Sequence, residues 1–172
     1  MSIIYEFGEY GPIILILLSW YVLWDHHNLF FYYTIGIFAN SILNCILKGI
    51  IQEPRPMYDP KKIRLLATHG KSYFFQNGIP YDMFGMPSGH AQASAFSTVF
   101  IYLALKQTNL LYIYIPLTLL TFYQRVQLNF HSISQVIVGG IVGSSFANLM
   151  YRLAREKIKN KIREKPDDFG PV

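Results

Sequence analysis

The sequence predicts an all-α membrane protein, a polytopic bundle of about five transmembrane helices. Of its 172 residues, 52% are hydrophobic and only 15% are charged, whereas roughly 25% of residues are charged in an ordinary soluble domain. Long apolar runs recur along the chain, separated by short polar turns and by one long interruption. The single cysteine, Cys45, excludes an intrachain disulfide framework and a cysteine-based zinc site.

Five apolar runs define the predicted transmembrane helices in chain order. They cover residues 11–24, 29–47, 91–105, 110–123 and 133–151. Several runs are shorter or more polar than the roughly 20 apolar residues of an isolated spanning helix. Their ends are therefore approximate, and a re-entrant or buried segment is the alternative for one of them.

Individual features support each segment. Two glutamates precede the first run, where a cleaved signal peptide would carry basic residues. On the second run, Asn40 and Asn44 recur at helical spacing, so a polar stripe is predicted to face the interior of the bundle. The polar turn 106–109 separates the third run from the fourth. In the fifth run, the spacing of Gly139 and Gly143 predicts close packing against another helix.

The charge distribution predicts the orientation. Seven of the 15 basic residues lie within 152–165, directly after the last run, and Lys- and Arg-rich flanks stay on the cytosolic side. We therefore divide the chain into a membrane domain, 1–151, with an outer-face loop, 52–90, and a basic cytosolic tail, 152–172. Five crossings place that loop and 124–131 together on the non-cytosolic face. With one crossing fewer, the N-terminus would change sides but the two loops would stay together. Because the body is nearly neutral, no nucleic-acid partner is expected.

Polar residues that can bind an anion fall into three clusters at this face. They are Lys48 and Arg55, then Ser88, Gly89 and His90, and then Arg125 and His131. Ionisable residues at the ends of membrane helices are costly unless they pair or serve a site, so three cations and two histidines indicate an anionic ligand. Phosphate fits best, because each arginine can hold two oxygens in a bidentate fork and Lys48 adds a point charge.

The second cluster directly precedes the third run, which predicts a helix N-terminus with exposed N–H donors. Gly89 permits close approach of the backbone to a phosphate oxygen, and Ser88 adds a hydroxyl donor. The alternative is that Ser88 simply caps the helix. The arginines expected on the same face favour the anion site.

The two histidines suit phosphoryl transfer, since a neutral imidazole can attack phosphorus and a protonated one can donate to the departing oxygen. Their positions alone do not decide which histidine takes which role. Gln135 lies four residues after His131, one helical turn away, and can orient its ring. The acidic residues of the loop 52–90 are scattered rather than set at a metal-ligand spacing, so neither a metal nor another cofactor is expected.

The three clusters form an ordered set of motifs. They are Lys48-x6-Arg55-Pro56, Pro87-Ser88-Gly89-His90 and Gln124-Arg125-x5-His131-x3-Gln135. In these residues the chain resembles the type 2 phosphatidic acid phosphatase superfamily, whose signature is Lys-x6-Arg-Pro, Pro-Ser-Gly-His and Ser-Arg-x5-His-x3-Asp. The resemblance implies a metal-independent helical membrane phosphatase in which His131 is the nucleophile, forming a phosphohistidine, and His90 is the general acid. It also implies that the phosphoryl oxygens are bound by Lys48, Arg55, Ser88, Gly89 and Arg125.

Two positions depart from that signature. Gln124 replaces a Ser, and Gln135 replaces the Asp that holds the nucleophilic histidine. An amide oxygen can fix the tautomer, but it does not stabilise an imidazolium as a carboxylate does. The segments 52–56, 85–90 and 131–136 are similar to the dolichyl diphosphatase branch, which also carries this Gln, although that branch usually has Ser in place of Gly89 and Trp in place of Ile133. The resemblance therefore implies hydrolysis of dolichyl diphosphate to the monophosphate at the lumenal face of the endoplasmic reticulum.

Alternatives remain open for the function. A phosphatidate or other lipid-phosphate phosphatase would apply the same chemistry to another lipid. An inactive lipid-phosphate-binding scaffold would keep the cations while Gln135 left His131 poorly activated, although binding alone requires neither His90 nor His131. In a purely structural bundle, the motif residues would only cap helices. The oligomeric state is not predicted.

Overall fold

The computed structural model describes residues 3–56 and 84–162, which contain five α-helices. The helices are α1 (Ile3–Val22), α2 (His27–Ile51), α3 (Gly89–Leu105), α4 (Thr108–Gln127) and α5 (Ile133–Ile162). Each predicted apolar run coincides with one of them. Within the described ranges, the extended pairing is limited to an isolated antiparallel bridge between Pro54 and Phe84. The prediction of an all-α bundle is confirmed.

Two helices differ from their apolar runs at the ends. Helix α1 begins at Ile3, well before the apolar run, and ends at Val22. Helix α5 continues through the predicted start of the basic tail to Ile162. That extension is rich in Arg and Lys and lacks Gly and Pro. Such residues are strong helix formers although they are not apolar, so a hydropathy pattern ends before the helix does.

Helix α3 is the centre of the bundle, because it packs against each of the other four described helices. Its closest neighbour is α5, and two glycines of α5 make that approach possible. A side chain at Gly139 would come within 2.6 Å of the Ser88 carbonyl oxygen, and one at Gly143 would collide with the backbone of Gln92. The close packing predicted from the glycine spacing is therefore between α5 and α3 of the same chain.

The bundle has a polar interior and an apolar exterior. Between α2 and α3, the Asn44 amide donates to Gln92 Oε1 at 2.8 Å, and Gln92 Nε2 donates to Asn40 Oδ1 at 2.8 Å. The large apolar side chains of Ile50 and Tyr112 are in turn 73% and 81% exposed. Such a distribution suits a lipid environment, where polar groups must be satisfied internally.

Length and hydropathy single out two spans within the described residues. Helix α2 and the portion Ile133–Lys157 of α5 are long and apolar enough to cross a membrane. Helix α3, at 17 residues, lies below the usual length for a span. The chain is an integral membrane protein with apolar helices, and the number of its crossings is approximate.

Candidate active site

The three sequence clusters meet at one end of the bundle, where α2 ends, α3 begins and the α4–α5 connection turns. A backbone hydrogen bond from Ser88 N to Gln135 O, 3.0 Å long, joins the start of α3 to the first turn of α5. From α2, the Asn44 amide donates to the Pro87 carbonyl at 3.1 Å. Within the connection, His131 N donates to Arg125 O at 3.1 Å. These bonds fix the relative positions of the clusters.

The cations surround both histidines. Lys48 and Arg125 are only 1% and 6% exposed, and Arg55 is half-buried. Their charges act on His90, and those of Arg55 and Lys48 also act on His131. The Arg125 guanidinium lies over the Phe130 ring at 5.1 Å, which restricts its orientation. A site with this much buried positive charge is suited to an anion.

The start of α3 presents a second feature of an anion site. Ser88 occupies the N-cap position but makes no side-chain cap hydrogen bond. Its hydroxyl is fully buried and has no hydrogen-bond partner in the described part of the chain. Gly89 is the first helical residue, and the N–H groups that follow carry the positive end of the helix dipole. The structure therefore does not support the alternative in which Ser88 caps the helix.

His131 is buried and held in one tautomer. Its Nδ1 lies 3.0 Å from the Gly85 carbonyl oxygen and 3.2 Å from Gln135 Oε1. Both partners are acceptors, so Nδ1 carries the proton and the lone pair is on Nε2. Burial, followed by the positive charges of Arg55 and Lys48, lowers the pKa of His131 to about 3. The imidazole is therefore neutral at pH 7, as a nucleophile requires.

Gln135 uses its whole hydrogen-bonding capacity in this arrangement. Its Oε1 accepts from Ser132 N at 3.2 Å as well as from His131, and Gln135 N donates to Ser132 Oγ at 3.2 Å, which forms a capping box at the start of α5. Its Nε2 donates to Glu53 Oε1 at 2.7 Å and to Pro54 O at 2.9 Å. The amide is thus locked in one orientation.

Glu53 is a member of the site that sequence reasoning placed among the scattered acids of the loop. Its backbone carbonyl accepts from Gly85 N at 2.7 Å, beside the bridge between Pro54 and Phe84. A side chain at Gly85 would collide with the Gln135 amide. In the sequence, the feature that could have indicated Glu53 as a site residue is its position two residues before Arg55. Its contact with Gln135, 82 positions away, depends on tertiary structure.

Other residues of the motifs contribute differently. Gln124 is buried, but it packs against α1, where a side chain at Gly8 would come within 2.6 Å of its Cβ. Its side chain therefore lies at the contact between α4 and α1. Across the described ranges, His, Cys, Asp and Glu form no group of three that could hold a metal.

A groove begins about one helical turn below the site. It has a volume of about 510 Å³ and lies among α3, α4 and α5, where α4 and α5 make few direct contacts. Its upper end is formed by Phe122 and Ile137, which lie within three residues of Arg125 and Gln135 along their helices. Farther down it is lined by Thr98, Ser144 and other small or apolar residues.

Comparison with known proteins agrees with the motifs. Residues 29–159 match the family model described as the PAP2 superfamily. The chain is 35% identical over 137 residues to Dolichyldiphosphatase 1 of Rhinolophus ferrumequinum, covering 70% of this chain and 51% of that protein. It is 35% identical over 126 residues to Dolichyldiphosphatase of Saccharomyces cerevisiae, covering 67% of this chain and 48% of that protein. The chain thus spans about half the length of these relatives.

A plant relative and a solved structure extend the comparison. Lipid phosphate phosphatase epsilon 2, chloroplastic, of Arabidopsis thaliana is 33% identical over 125 residues, covering 68% of this chain and 37% of that protein. The fold is similar to the crystal structure of a transmembrane PAP2 type phosphatidylglycerolphosphate phosphatase from Bacillus subtilis. The TM-score is 0.56 at 19% identity, and the match covers 96% of this chain and 81% of that chain. That structure supports the fold. Together the matches confirm the resemblance predicted from the motifs.

Proposed function

The chain belongs to the PAP2 superfamily, and on that premise we propose that it is a metal-independent phosphatase acting on a lipid phosphate or diphosphate in the membrane. One observation carries the proposal. A buried, neutral His131 is held with its Nδ1 proton on Gly85 and Gln135, next to Lys48 and Arg55. A structural histidine has no need of a buried and a half-buried cation beside it, whereas a phosphoryl acceptor does.

The reaction proceeds in two steps. The anionic substrate bound among the cations offsets their charge and lets His90 hold a proton. His131 Nε2 then attacks the terminal phosphorus, the bond from phosphorus to the bridging oxygen breaks, and His90 gives its proton to that oxygen. The resulting phosphohistidine is then hydrolysed by water, whose proton passes to His90 as inorganic phosphate leaves. Lys48, Arg55 and Arg125 neutralise the charge on the equatorial oxygens, and the N–H groups after Ser88 and the Ser88 hydroxyl supply further donors.

The groove favours a lipid as the substrate. It is lined mainly by small and apolar residues of α3, α4 and α5, and its volume of about 510 Å³ lies in the range of ligand pockets, roughly 300–1,000 Å³. We assign it to the apolar chain of the substrate, whose phosphate occupies the site above. Among lipids, dolichyl diphosphate is the best candidate, because relatives named dolichyldiphosphatase match 70% and 67% of this chain. Phosphatidate or another lipid phosphate is the alternative, in line with the plant relative.

The proposed location follows from the same substrate and from the charge of the tail. The site lies on the lumenal face of the endoplasmic reticulum, and the basic segment after α5 lies in the cytosol, where lysine and arginine flanks are retained. Basic residues are otherwise disfavoured on the lumenal side. Here they bind the anionic substrate, which explains why they lie on that side.

Phosphate release by the purified protein in detergent tests the proposal. Dolichyl diphosphate and phosphatidate are assayed in parallel, with a chelator present, for the wild type, His131→Ala, His90→Ala and the control His27→Ala. We expect roughly a 10³-fold or larger loss of kcat for each of the first two variants and no loss for the control, because His27 is exposed at the other end of α2.

Each other outcome has a definite meaning. A preference for phosphatidate would retain the chemistry and change the substrate. Inhibition by the chelator would overturn the metal-independent mechanism. No release from either lipid by folded wild-type protein would favour a lipid-phosphate-binding scaffold, which would still show saturable binding of the diphosphate.

A further inference from the structure

We propose that Glu53 is a positioning residue for His131, acting through the amide of Gln135. The carboxylate fixes the amide's orientation and supplies, one hydrogen bond farther away, the negative charge that the superfamily's Asp would supply at position 135. The inference rests on the proposed function, because it concerns the residue assigned there as the nucleophile. It assigns to this chain a carboxylate–amide–imidazole relay.

The hydrogen-bond inventory of Gln135 leaves one orientation for the amide. An amide has two donors and an oxygen that accepts two bonds, and all four are engaged. Nε2 faces two acceptors, Glu53 Oε1 at 2.7 Å and Pro54 O at 2.9 Å. Oε1 faces two donors, Ser132 N and His131 Nδ1, both at 3.2 Å. A reversed amide would set N–H against N–H and oxygen against a carboxylate.

Glu53 is the charged partner in this set, and its bond is the shortest of the four. A charge-assisted hydrogen bond from Nε2 to Glu53 shifts electron density from the amide nitrogen toward Oε1. Oε1 becomes a better acceptor, since linked hydrogen bonds polarise one another in a site of low dielectric. The imidazolium that develops as His131 attacks phosphorus is then stabilised through Gln135. A glutamine at position 53 would supply no charge, and because its amide both donates and accepts, it would no longer favour a single orientation of the Gln135 amide.

The backbone holds Glu53 where this role requires it. Its carbonyl accepts from Gly85 N at 2.7 Å, and the next residue, Pro54, forms the bridge with Phe84. The Gly85 carbonyl in turn accepts from His131 Nδ1. Gly85 also leaves the space that the Gln135 amide occupies. The carboxylate and the second acceptor for His131 are thus positioned by the same pair of segments.

An isosteric exchange of charge tests the proposal. Glu53→Gln removes the charge at constant shape, and we expect kcat to fall roughly tenfold to a hundredfold, the usual cost of removing a supporting partner of a site residue, with KM nearly unchanged. Gln135→Glu also lowers kcat, because it places two carboxylates in contact. The double variant Glu53→Gln/Gln135→Glu puts the carboxylate directly on His131 and the amide behind it, so its kcat should exceed that of both single variants.

The control is Glu156→Gln, the same change at an exposed position near the cytosolic end of α5, which should leave kcat unchanged. Thermal unfolding of each variant in detergent separates a loss of kcat from a loss of fold. Full kcat in Glu53→Gln, or a double variant whose kcat does not exceed that of both single variants, would overturn the proposal.

A readout independent of turnover separates this inference from the proposed function. In protein labelled with ¹⁵N in the imidazole ring, His131 should show the Nδ1–H tautomer, and Glu53→Gln should shift it toward a mixture of tautomers. If the wild type hydrolyses neither lipid but the tautomer still shifts, the relay stands and the proposed function fails. If hydrolysis is found and neither kcat nor tautomer responds to Glu53→Gln, the relay fails and the function stands.

Discussion

His131 is kept neutral by its hydrogen-bond acceptors and by the cations near its ring. The acceptors Gly85 O and Gln135 Oε1 bind the proton at Nδ1, while the charges of Arg55 and Lys48 oppose a second proton. A dianionic phosphate bound among the cations would reverse that opposition when the substrate arrives. In the proposed mechanism, His131 is therefore uncharged before the substrate binds, and its positive form is stabilised only when an anion is present.

This arrangement predicts an unusual acid response of the substrate-free protein. An ordinary histidine, with a pKa of about 6.5, is mostly protonated at pH 5, whereas a pKa of about 3 leaves His131 neutral. The unfolded chain then takes up a proton that the folded protein does not. The stability that depends on His131 is present above about pH 6.5 and declines as the pH falls toward about 3.

Titration of the ¹⁵N imidazole signals between pH 7 and pH 5 checks the first part, and a protonated His131 at pH 5 would contradict it. Thermal unfolding over the same range checks the second. His131→Asn should unfold with a weaker dependence on pH than the wild type, while the exposed His27→Asn should not differ from it.

Residue-level prediction from sequence succeeds where a motif sets the backbone and fails where tertiary contacts decide. The prediction that Gln135 can orient His131 agrees with the contact observed, because four residues on a helix bring the two side chains together. The hydroxyl of Ser88 had two possible roles, and only its burial without a cap bond distinguishes them. The role of Glu53 requires knowing that the segments at 53–54 and 84–85 lie side by side.

At the scale of elements, the contact between α3 and α5 determines the geometry of the site. Ser88 begins α3, Gln135 lies in the first turn of α5, and a backbone hydrogen bond joins them. Two glycines of α5, Gly139 and Gly143, let the two helix backbones approach. Because α3 begins next to Ser88 and α5 begins two residues after His131, a change in the separation of the helices alters the distance between these two proposed site residues.

Gly143→Ala tests this contact. Alanine has a helix propensity about 1 kcal/mol better than glycine, but its Cβ would collide with the Gln92 backbone, which has no flexible end to move aside. Overpacking of this kind costs roughly 1–3 kcal/mol, so we expect a net loss of stability, together with a lower kcat. Thermal unfolding and phosphate release in detergent measure the two effects.

Gly140→Ala is the matched control on the same helix. Its Cβ would meet the edge of the Phe122 ring at 3.1 Å, and a ring can rotate or shift by a few tenths of an ångström. We expect a smaller loss than for Gly143→Ala. Equal stability losses for both variants would show that the backbone contact with α3 has no special weight.

Hydropathy predicted that five helices exist but not where they end. The interiors of α2 and α4 match their apolar runs, since lipid-facing positions must be apolar. The ends depend on caps, propensity and neighbours instead. Helix α5 reaches Ile162 through a charged segment that no apolar pattern includes, and α3 begins at Gly89 because Ser88 is fixed by its bond to Gln135.

The whole molecule combines two environments that a soluble fold keeps apart. Its outer surface is apolar, while Asn40, Asn44 and Gln92 form a buried polar network beneath the cationic site. This network supports the Pro87 carbonyl and hence the start of α3. The groove among α3, α4 and α5 begins within three residues of Arg125 and Gln135 along their helices. A substrate with a charged head and an apolar chain would meet a matching surface along its length.

If the groove binds the apolar chain of the substrate, filling the groove should impair long-chain substrates more than short-chain ones. Ser144 lines the groove on α5, so Ser144→Leu should fill it and reduce kcat/KM for a long-chain polyisoprenyl diphosphate roughly tenfold, about 1.4 kcal/mol. A short-chain isoprenyl diphosphate does not reach Ser144, and its kcat/KM should be unchanged. Asn148→Leu, an exposed position on the same helix outside the groove, is the control. Equal losses of kcat/KM for the long-chain and short-chain substrates would show that the isoprenyl chain does not bind in the groove. A distorted active site lowers kcat/KM for both substrates, whereas a filled groove lowers it only for the long one.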